Sequence, residues 1–159
     1  LDGFFSFIST RWFASILVLL AGIYFYYLKK FKIFIFICLA TSFGDITGNI
    51  LKELLADTRP CFGHSEIFIQ ESLIEKECGS QTTGMPSNHA INFFLFSTLL
   101  FLTLKNKYIT SFYLISSVFV GLSRVFLIKH LLSQVIIGAF IGIFLGIIFY
   151  NLFYKWIKT

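Results

Sequence analysis

The chain has 159 residues, about the length of one domain, and 57% of them are hydrophobic while only 13% are charged. Ordinary globular chains are about a quarter charged, so the composition excludes a disordered chain, a nucleic-acid-binding module and almost any soluble fold. The net charge of +5 is explained by positive residues spread over the edges of membrane spans. We therefore predict an integral membrane protein.

Apolar stretches long enough to approach the roughly 20 residues of a membrane-spanning helix recur along the chain. They are Trp12–Leu28, Phe31–Leu51, Ala90–Leu104, Tyr108–Leu122 and Val135–Phe153. Three are short, so we expect them to tilt or to extend into their polar flanks. Residues 1–10 suit a short interfacial helix. The predicted fold is all-α, a polytopic transmembrane bundle of about five spanning helices with this N-terminal helix, forming one domain over residues 1–159.

Charge differs between the two sides of the predicted bundle. The short connections at residues 29–32 and 105–107, together with the C-terminus, carry seven lysines and no acidic residue. The positive-inside rule makes this side cytoplasmic. The polar segment 59–85 then lies outside, and residues 59–89 form an outer loop that contributes to the site. Because the sequence begins with Leu1 rather than Met, we expect a trimmed or processed N-terminus.

Polar side chains inside the spans indicate which faces form the interior of the bundle. Small residues four apart mark the faces where helices pack closely. Lys52, Arg124 and His130 continue such faces in the second, fourth and fifth spans. We therefore expect these three side chains to point into one protein-lined interior near the outer surface, where cations and imidazoles require an anionic ligand.

The first polar segment, Lys52–Pro60, ends the second span. Lys52 and Arg59 are seven residues apart, which is two helical turns, so they share a face. Pro60 disfavours helix at the residue before it and therefore ends the span at Arg59. Two cations snorkelling to a membrane edge explain this pair as well as a binding site does.

The second polar segment reads Pro86-Ser87-Asn88-His89 and directly precedes an apolar run. Ser87 is a favourable N-cap, and free backbone N–H groups at a helix start bind phosphate oxygens. Capping alone would account for Ser87. It would not account for a histidine at the mouth of a span, where the side chain titrates near neutral pH.

The third polar segment, Ser123–Gln134, contains Arg124 and His130. Arginine offers a planar fork of donors that suits phosphate oxygens. A single histidine in such a place is more often structural. Three such segments emerging on one outer face favour a phosphate site over three separate structural explanations.

In chain order, Lys-x6-Arg-Pro, Pro-Ser-x-His and Ser-Arg-x5-His-x3 resemble the three-part signature of the type 2 phosphatidic acid phosphatases. These are integral membrane lipid phosphatases, and the likeness in topology extends over the four spans from the second onward. The resemblance implies that His130 attacks phosphorus and forms a phosphohistidine. It also implies that His89 protonates the leaving oxygen and then activates the water that hydrolyses the intermediate.

The resemblance further implies a set of phosphate-binding groups, namely Lys52, Arg59, Ser87, Arg124 and the backbone of Asn88. Three cations and a helix N-terminus supply the positioning and charge stabilisation on which phosphoryl transfer depends. Three scattered histidines without a carboxylate cluster make a poor metal site. We therefore expect no metal and no other cofactor.

The chain departs from the family pattern at two positions. Asn88 stands where the family usually has Gly and is expected to crowd the phosphate slightly. Gln134 stands where the family normally has an Asp that orients and charges the imidazole of His130. A Gln carbonyl can accept from Nδ1–H and hold the tautomer, but it brings no charge. The same exchange in a serine-protease triad costs about 10⁴ in rate; we expect a smaller cost here, because the bound phosphate itself stabilises the imidazolium.

Cysteine and acidic residues complete the expectations. Cys61 and Cys78 both fall in the outer loop, where a disulfide would contribute roughly 3 kcal/mol in the chain-entropy model; two reduced thiols are the alternative. We expect Cys38, inside the second span, to serve packing. Asp45, in the same span, should be protonated or paired, with Asn49 one turn away as the candidate partner.

These observations predict a lipid phosphatase of the bacterial inner membrane, with its site facing the periplasm. The compact form, the single outer loop with Cys61 and Cys78, and the motif Pro-Ser-Asn-His-Ala resemble the family members that act on lipid A 1-phosphate or undecaprenyl diphosphate. The resemblance therefore implies lipid A 1-phosphate as the first expected substrate, followed by undecaprenyl diphosphate and phosphatidylglycerophosphate. The expected partners are a membrane lipid phosphate and the bilayer, and no nucleic acid. A lipid phosphotransferase and, because of Gln134, a catalytically impaired lipid-phosphate-binding protein are the alternatives.

Overall fold

The structure is a computed structural model that describes residues 2–63 and 82–157. Its helices in chain order are α1 (Asp2–Ile8), α2 (Arg11–Tyr27), α3 (Phe31–Leu55), α4 (Pro60–Gly63), α5 (Asn88–Thr103), α6 (Lys107–Phe126) and α7 (Leu132–Ile157). Within those ranges the β-structure is a single bridge that pairs Thr58 with Thr83. The predicted Cys61–Cys78 disulfide lies outside the described residues.

Every predicted apolar stretch is helical, which confirms the all-α transmembrane fold. In the described part of the chain, three helices are long and apolar enough to cross a membrane, namely Phe31–Leu55, Lys107–Phe126 and Leu132–Tyr154. Helices α2 and α5 are apolar but shorter, so the number of spans stays a prediction. The helices extend beyond the predicted stretches into their polar flanks. As a result Lys52 and Arg124 lie in the last turns of α3 and α6.

Helix α5 lies at the centre of the bundle and packs against α3, α6 and α7. Glycines on α7 allow the closest of these contacts. A Cβ added at Gly138 would lie 2.7 Å from the carbonyl oxygen of Ser87, and one added at Gly142 would meet the carbonyl oxygen of Ile91. Since backbone lies against backbone here, the start of α5 and the start of α7 are fixed relative to each other.

The N-terminal helices cover one side of this centre. Helix α2 buries Leu17 and Phe25, and the hydroxyl of Tyr113 on α6 donates to the carbonyl oxygen of Leu17 at 2.7 Å. Helix α1 is present as predicted and packs against α6, with the rings of Phe5 and Phe126 4.4 Å apart. Its position relative to the bilayer surface remains a prediction.

Candidate active site

A cavity of about 920 Å³ lies among α2, α3, α5, α6 and the segment that joins α6 to α7. Six of the eight predicted site residues line it together: Lys52, Arg59, Asn88, His89, Arg124 and His130. They come from the end of α3 and the residues that follow it, the start of α5, the end of α6 and the segment that joins α6 to α7. The antiparallel arrangement of these helices brings those ends to the same end of the bundle.

Three cationic side chains are buried at this end of the cavity. Lys52 is 5% exposed, Arg59 7% and Arg124 6%. Arg59 is held by two bonds, because its backbone N–H donates to the carbonyl oxygen of Thr82 at 2.9 Å and its Nε donates to that of Thr83 at 3.3 Å. Buried like charges raise one another's energy, and an anion bound among them lowers it. The arrangement therefore suits a phosphate group.

Arg124 is also held by a residue that the sequence analysis did not single out. Its Nη1 donates to the hydroxyl oxygen of Ser9 at 2.5 Å, and Ser9 is itself buried just after α1. The N-terminal helix thus contributes to the cation cluster. A lone serine 115 residues away in sequence carries no signal of this contact.

Ser87 occupies the predicted N-cap position of α5, but its side chain makes no capping hydrogen bond. The residue is fully buried, and within the described ranges its hydroxyl has no hydrogen-bond partner. A buried hydroxyl without a partner costs free energy unless a ligand satisfies it. The structure thus corrects the expected capping role and leaves the hydroxyl available at the helix start.

The side chain of Asn88 is held by α3. Its Nδ2 donates to Oδ1 of Asn49 at 2.7 Å and to Oδ1 of Asp45 at 3.1 Å. A Cβ added at Gly48 would lie 2.5 Å from Oδ1 of Asn88, so the glycine makes room for this amide. The expected crowding of the phosphate is therefore corrected, because the added bulk is directed toward α3. Asp45 is paired with Asn88 and with Asn92, and not with Asn49 as predicted.

His130 lies between α6 and α7 and is 2% exposed. Its backbone N–H donates to the carbonyl oxygen of Arg124 at 3.1 Å. Two residues earlier, Ile128 has a φ of 57°, a conformation that costs a β-branched residue energy and is uncommon outside constrained sites. The chain therefore turns sharply after α6, which carries the imidazole back to the cavity.

Two oxygen atoms fix the tautomer of His130. Its Nδ1 lies 2.7 Å from the carbonyl oxygen of Gly84 and 3.3 Å from Oε1 of Gln134. Both are acceptors, so Nδ1 carries the proton and the lone pair is on Nε2. A nucleophilic histidine requires this state.

Contacts on both sides of the side-chain amide of Gln134 set its orientation. Oε1 accepts from the backbone N–H of Leu131 at 3.1 Å. Nε2 donates to Oδ2 of Asp57 at 2.7 Å and to the carbonyl oxygen of Thr58 at 3.1 Å. Asp57 was not among the predicted site residues. Its spacing gave no indication that it would reach a residue 77 positions away.

Burial and charge both act on His130. Desolvation, and then the positive charges of Arg124, Arg59 and Lys52, lower the pKa of His130 from 6.5 to about 3. The imidazole is therefore neutral at neutral pH and keeps its lone pair. Among residues 2–63 and 82–157, no group of three His, Cys, Asp or Glu side chains is arranged to hold a metal ion.

Comparisons with known proteins agree with this architecture. A sequence model of the family described as PAP2 superfamily matches residues 33–158. A solved structure, described as the first transmembrane PAP2 type phosphatidylglycerolphosphate phosphatase from Bacillus subtilis, is similar with a TM-score of 0.69. The match covers 97% of this chain and 77% of that one at 21% identity, which shows a shared fold. No curated protein matches the chain.

Proposed function

The chain belongs to the PAP2 superfamily, and on that premise we propose that it removes phosphate from a membrane lipid through a phosphohistidine on His130. Membership makes the protein a membrane-embedded phosphoric ester hydrolase. One observation carries the covalent mechanism. The proton of His130 is held on Nδ1 by two acceptors, so the lone pair of Nε2 is available beside three buried cations in a cavity.

The reaction would run in two displacements at phosphorus. Nε2 of His130 attacks, and the P–O bond to the lipid breaks while His89 gives a proton to the leaving alkoxide. His89 would carry that proton only once the bound phosphate anion offsets the burial and the neighbouring cations that otherwise favour a neutral imidazole. Neutral His89 then takes a proton from water, whose oxygen attacks the phosphohistidine and releases inorganic phosphate. Lys52, Arg59 and Arg124 would hold the phosphate oxygens and stabilise the charge that develops on them.

Two further groups would complete the phosphate site at the start of α5. The hydroxyl of Ser87 is buried without a hydrogen-bond partner in the described part of the chain. The backbone N–H of Asn88 belongs to the first turn of the helix, where free N–H groups and the helix dipole favour anions. The side chain of Asn88 takes no part in this, because it is bonded to α3.

We assign the substrate to the lipids of the bacterial inner membrane, with the site at the periplasmic face because the lysine-rich connections lie at the opposite ends of the helices. The cavity follows α3 from Cys38 to Lys52, about 21 Å at 1.5 Å per residue. Such a length accommodates a head group and part of a chain.

Lipid A 1-phosphate is the first candidate substrate. Phosphatidylglycerophosphate is the second, because the similar structure from Bacillus subtilis bears that phosphatase activity in its description. Asp45, Asn49 and Asn92 line the cavity beside the phosphate end, and their oxygen atoms suit hydroxyl groups of a head group. Sugar and glycerol head groups offer such hydroxyls, whereas undecaprenyl diphosphate, the third candidate, does not.

Phosphate release from a lipid panel tests the activity. Purified protein in lipid nanodiscs is given lipid A 1-phosphate, phosphatidylglycerophosphate, undecaprenyl diphosphate and phosphatidic acid, with and without vanadate. We expect release by the wild type and none by His130→Ala. His64→Ala is the chemical control, because His64 belongs to none of the three segments. Equal release by the wild type and His130→Ala would refute the nucleophile.

Trapping separates hydrolysis from the alternatives. A rapid acid-free quench after addition of phosphate-labelled substrate should leave label on His130, in an acid-labile and alkali-stable form. Label that moves to an added acceptor lipid, and not to water, would identify a phosphotransferase. Substrate binding with neither label nor release would identify a lipid-phosphate-binding protein.

A further inference from the structure

We propose that Asp57 is a positioning residue that charges and orients His130 through the side-chain amide of Gln134. The inference rests on the proposed function, since it assigns an auxiliary role in the same reaction. Three side chains form one line of hydrogen bonds. Nδ1 of His130 lies 3.3 Å from Oε1 of Gln134, and Nε2 of Gln134 donates to Oδ2 of Asp57 at 2.7 Å.

The carboxylate of Asp57 determines which end of the amide faces His130. If the amide were rotated by half a turn, Oε1 would face two acceptors, the carboxylate of Asp57 and the carbonyl oxygen of Thr58, and Nε2 would face the Nδ1–H of His130 and the N–H of Leu131. Each of the four contacts would become unfavourable. The present orientation is thus strongly preferred, and it presents an acceptor to Nδ1.

The carboxylate of Asp57 also polarises the side-chain amide of Gln134. A carboxylate that accepts from an amide N–H increases the electron density on the amide oxygen, and such chains strengthen one another in a low-dielectric interior. Gln134 is fully buried, so water screens this effect little. When Nε2 attacks phosphorus the ring becomes an imidazolium, and its Nδ1–H then meets a more negative oxygen. Asp57 therefore favours the transition state more than the resting imidazole.

The backbone around Asp57 connects this line to the phosphate site. The carbonyl oxygen of Asp57 accepts from the N–H of Gly84 at 2.7 Å, and Gly84 presents its own carbonyl oxygen to Nδ1 of His130 at 2.7 Å. A Cβ added at Gly84 would lie 2.7 Å from Oε1 of Gln134, so this residue must be small. Asp57 is thereby held in place from its backbone, two residues before Arg59.

Removing the charge while keeping the shape tests the proposal. Asn at position 57 can still accept from Gln134, so Asp57→Asn isolates the charge, while Asp57→Ala removes the acceptor as well. We expect Asp57→Asn to lower kcat about 10- to 100-fold, by analogy with the residues that orient metal-bound histidines, with KM within about threefold. Asp57→Ala should lower kcat further. The matched control is Glu53→Gln, which removes an exposed carboxylate from the same segment. It should leave kcat and KM unchanged.

Exchanging the two groups gives a second, independent readout. Gln134→Glu alone places a second carboxylate against Asp57, so it should reduce kcat strongly. In Asp57→Asn/Gln134→Glu the new amide can donate to the new carboxylate, and kcat should rise at least tenfold above the Gln134→Glu single variant. Recovery should be partial, because the carbonyl oxygen of Thr58 then faces an oxygen.

The outcomes distinguish this inference from the proposed function. Unchanged kcat in Asp57→Asn, or effects of the two substitutions that simply multiply in the double variant, would overturn the role of Asp57 while His130→Ala remains inactive. Activity in His130→Ala would overturn the proposed function itself. A parallel loss of folded protein in Asp57→Asn, measured by thermal unfolding, would indicate a merely structural role and would also overturn the inference.

Discussion

Lowering the pH should destabilise the folded protein through His130, and the size of this loss of stability can be worked out from the structure. The imidazole is 2% exposed, and desolvation together with three neighbouring cations lowers its pKa from 6.5 to about 3. The unfolded chain takes up a proton below about pH 6.5, whereas the folded protein does not until about pH 3. Stability is therefore fully present above pH 6.5 and is lost as the pH falls toward 3.

The loss follows from the two pKa values. Between about pH 8 and pH 4.5 this imidazole becomes protonated in the unfolded chain but stays neutral in the folded protein. About two pH units of that range lie below the pKa of the unfolded state. At about 1.4 kcal/mol per unit, this amounts to roughly 3 kcal/mol. Other groups titrate in the same range, so the quantity to measure is the difference between the wild type and a variant without the imidazole.

His130→Asn is a suitable reference, because its amide N–H can replace the Nδ1 donor and does not titrate. Unfolding free energies in mixed micelles, measured at several pH values, should show the wild type losing roughly 3 kcal/mol more than His130→Asn over this range. Nuclear magnetic resonance of the ring nitrogens should show a neutral His130 at about pH 5. Parallel curves, or a midpoint near 6.5, would refute the reasoning.

Two further predictions concern packing and the phosphate site. Gly142→Ala should destabilise the bundle by about 1–3 kcal/mol, because the added Cβ meets a backbone carbonyl of α5 that cannot rotate away. The control is Gly3→Ala, where nothing lies within 4 Å of the added Cβ. Equal melting temperatures for the two variants would contradict the packing argument. Ser87→Ala should leave the unfolding temperature unchanged or slightly higher, because it removes a buried hydroxyl without a partner in the described residues. The same variant should lower kcat/KM about tenfold. An unchanged kcat/KM would show that Ser87 is not part of the site.

The fold and the gathering of cations could be predicted from local patterns. A run of apolar residues predicts a helix wherever it lies, and helical periodicity states which face a side chain occupies. Lys52, Arg124 and His130 continue faces marked by small residues, and these faces pack inward in the structure. Helix ends were less predictable, because a polar flank can join the helix or end it.

Partners between distant side chains could not be predicted. Periodicity identifies a face but not the residue opposite, so the contacts of Ser9 with Arg124 and of Asp57 with Gln134 carried no local signal. The sequence of the segment gives the size of the Asn88 side chain but not its direction, which is why it predicts crowding of the phosphate. The structure adds Gly48 and Asn49 on α3, which accommodate and bind that amide.

The contact between α5 and α7 fixes the position of the cavity wall that α5 forms. The backbone N–H of Ser87 donates to the carbonyl oxygen of Gln134 at 3.2 Å, directly beside the glycine contacts of α7. The support of His130 and the helix start that would receive phosphate therefore shift together or not at all. A lipid of different width would be admitted more easily at the opposite wall. There the hydrogen bonds that hold α2 against α6 and its N-cap, among the described residues, are those from Tyr113 to Leu17 and from Asn106 to Tyr24.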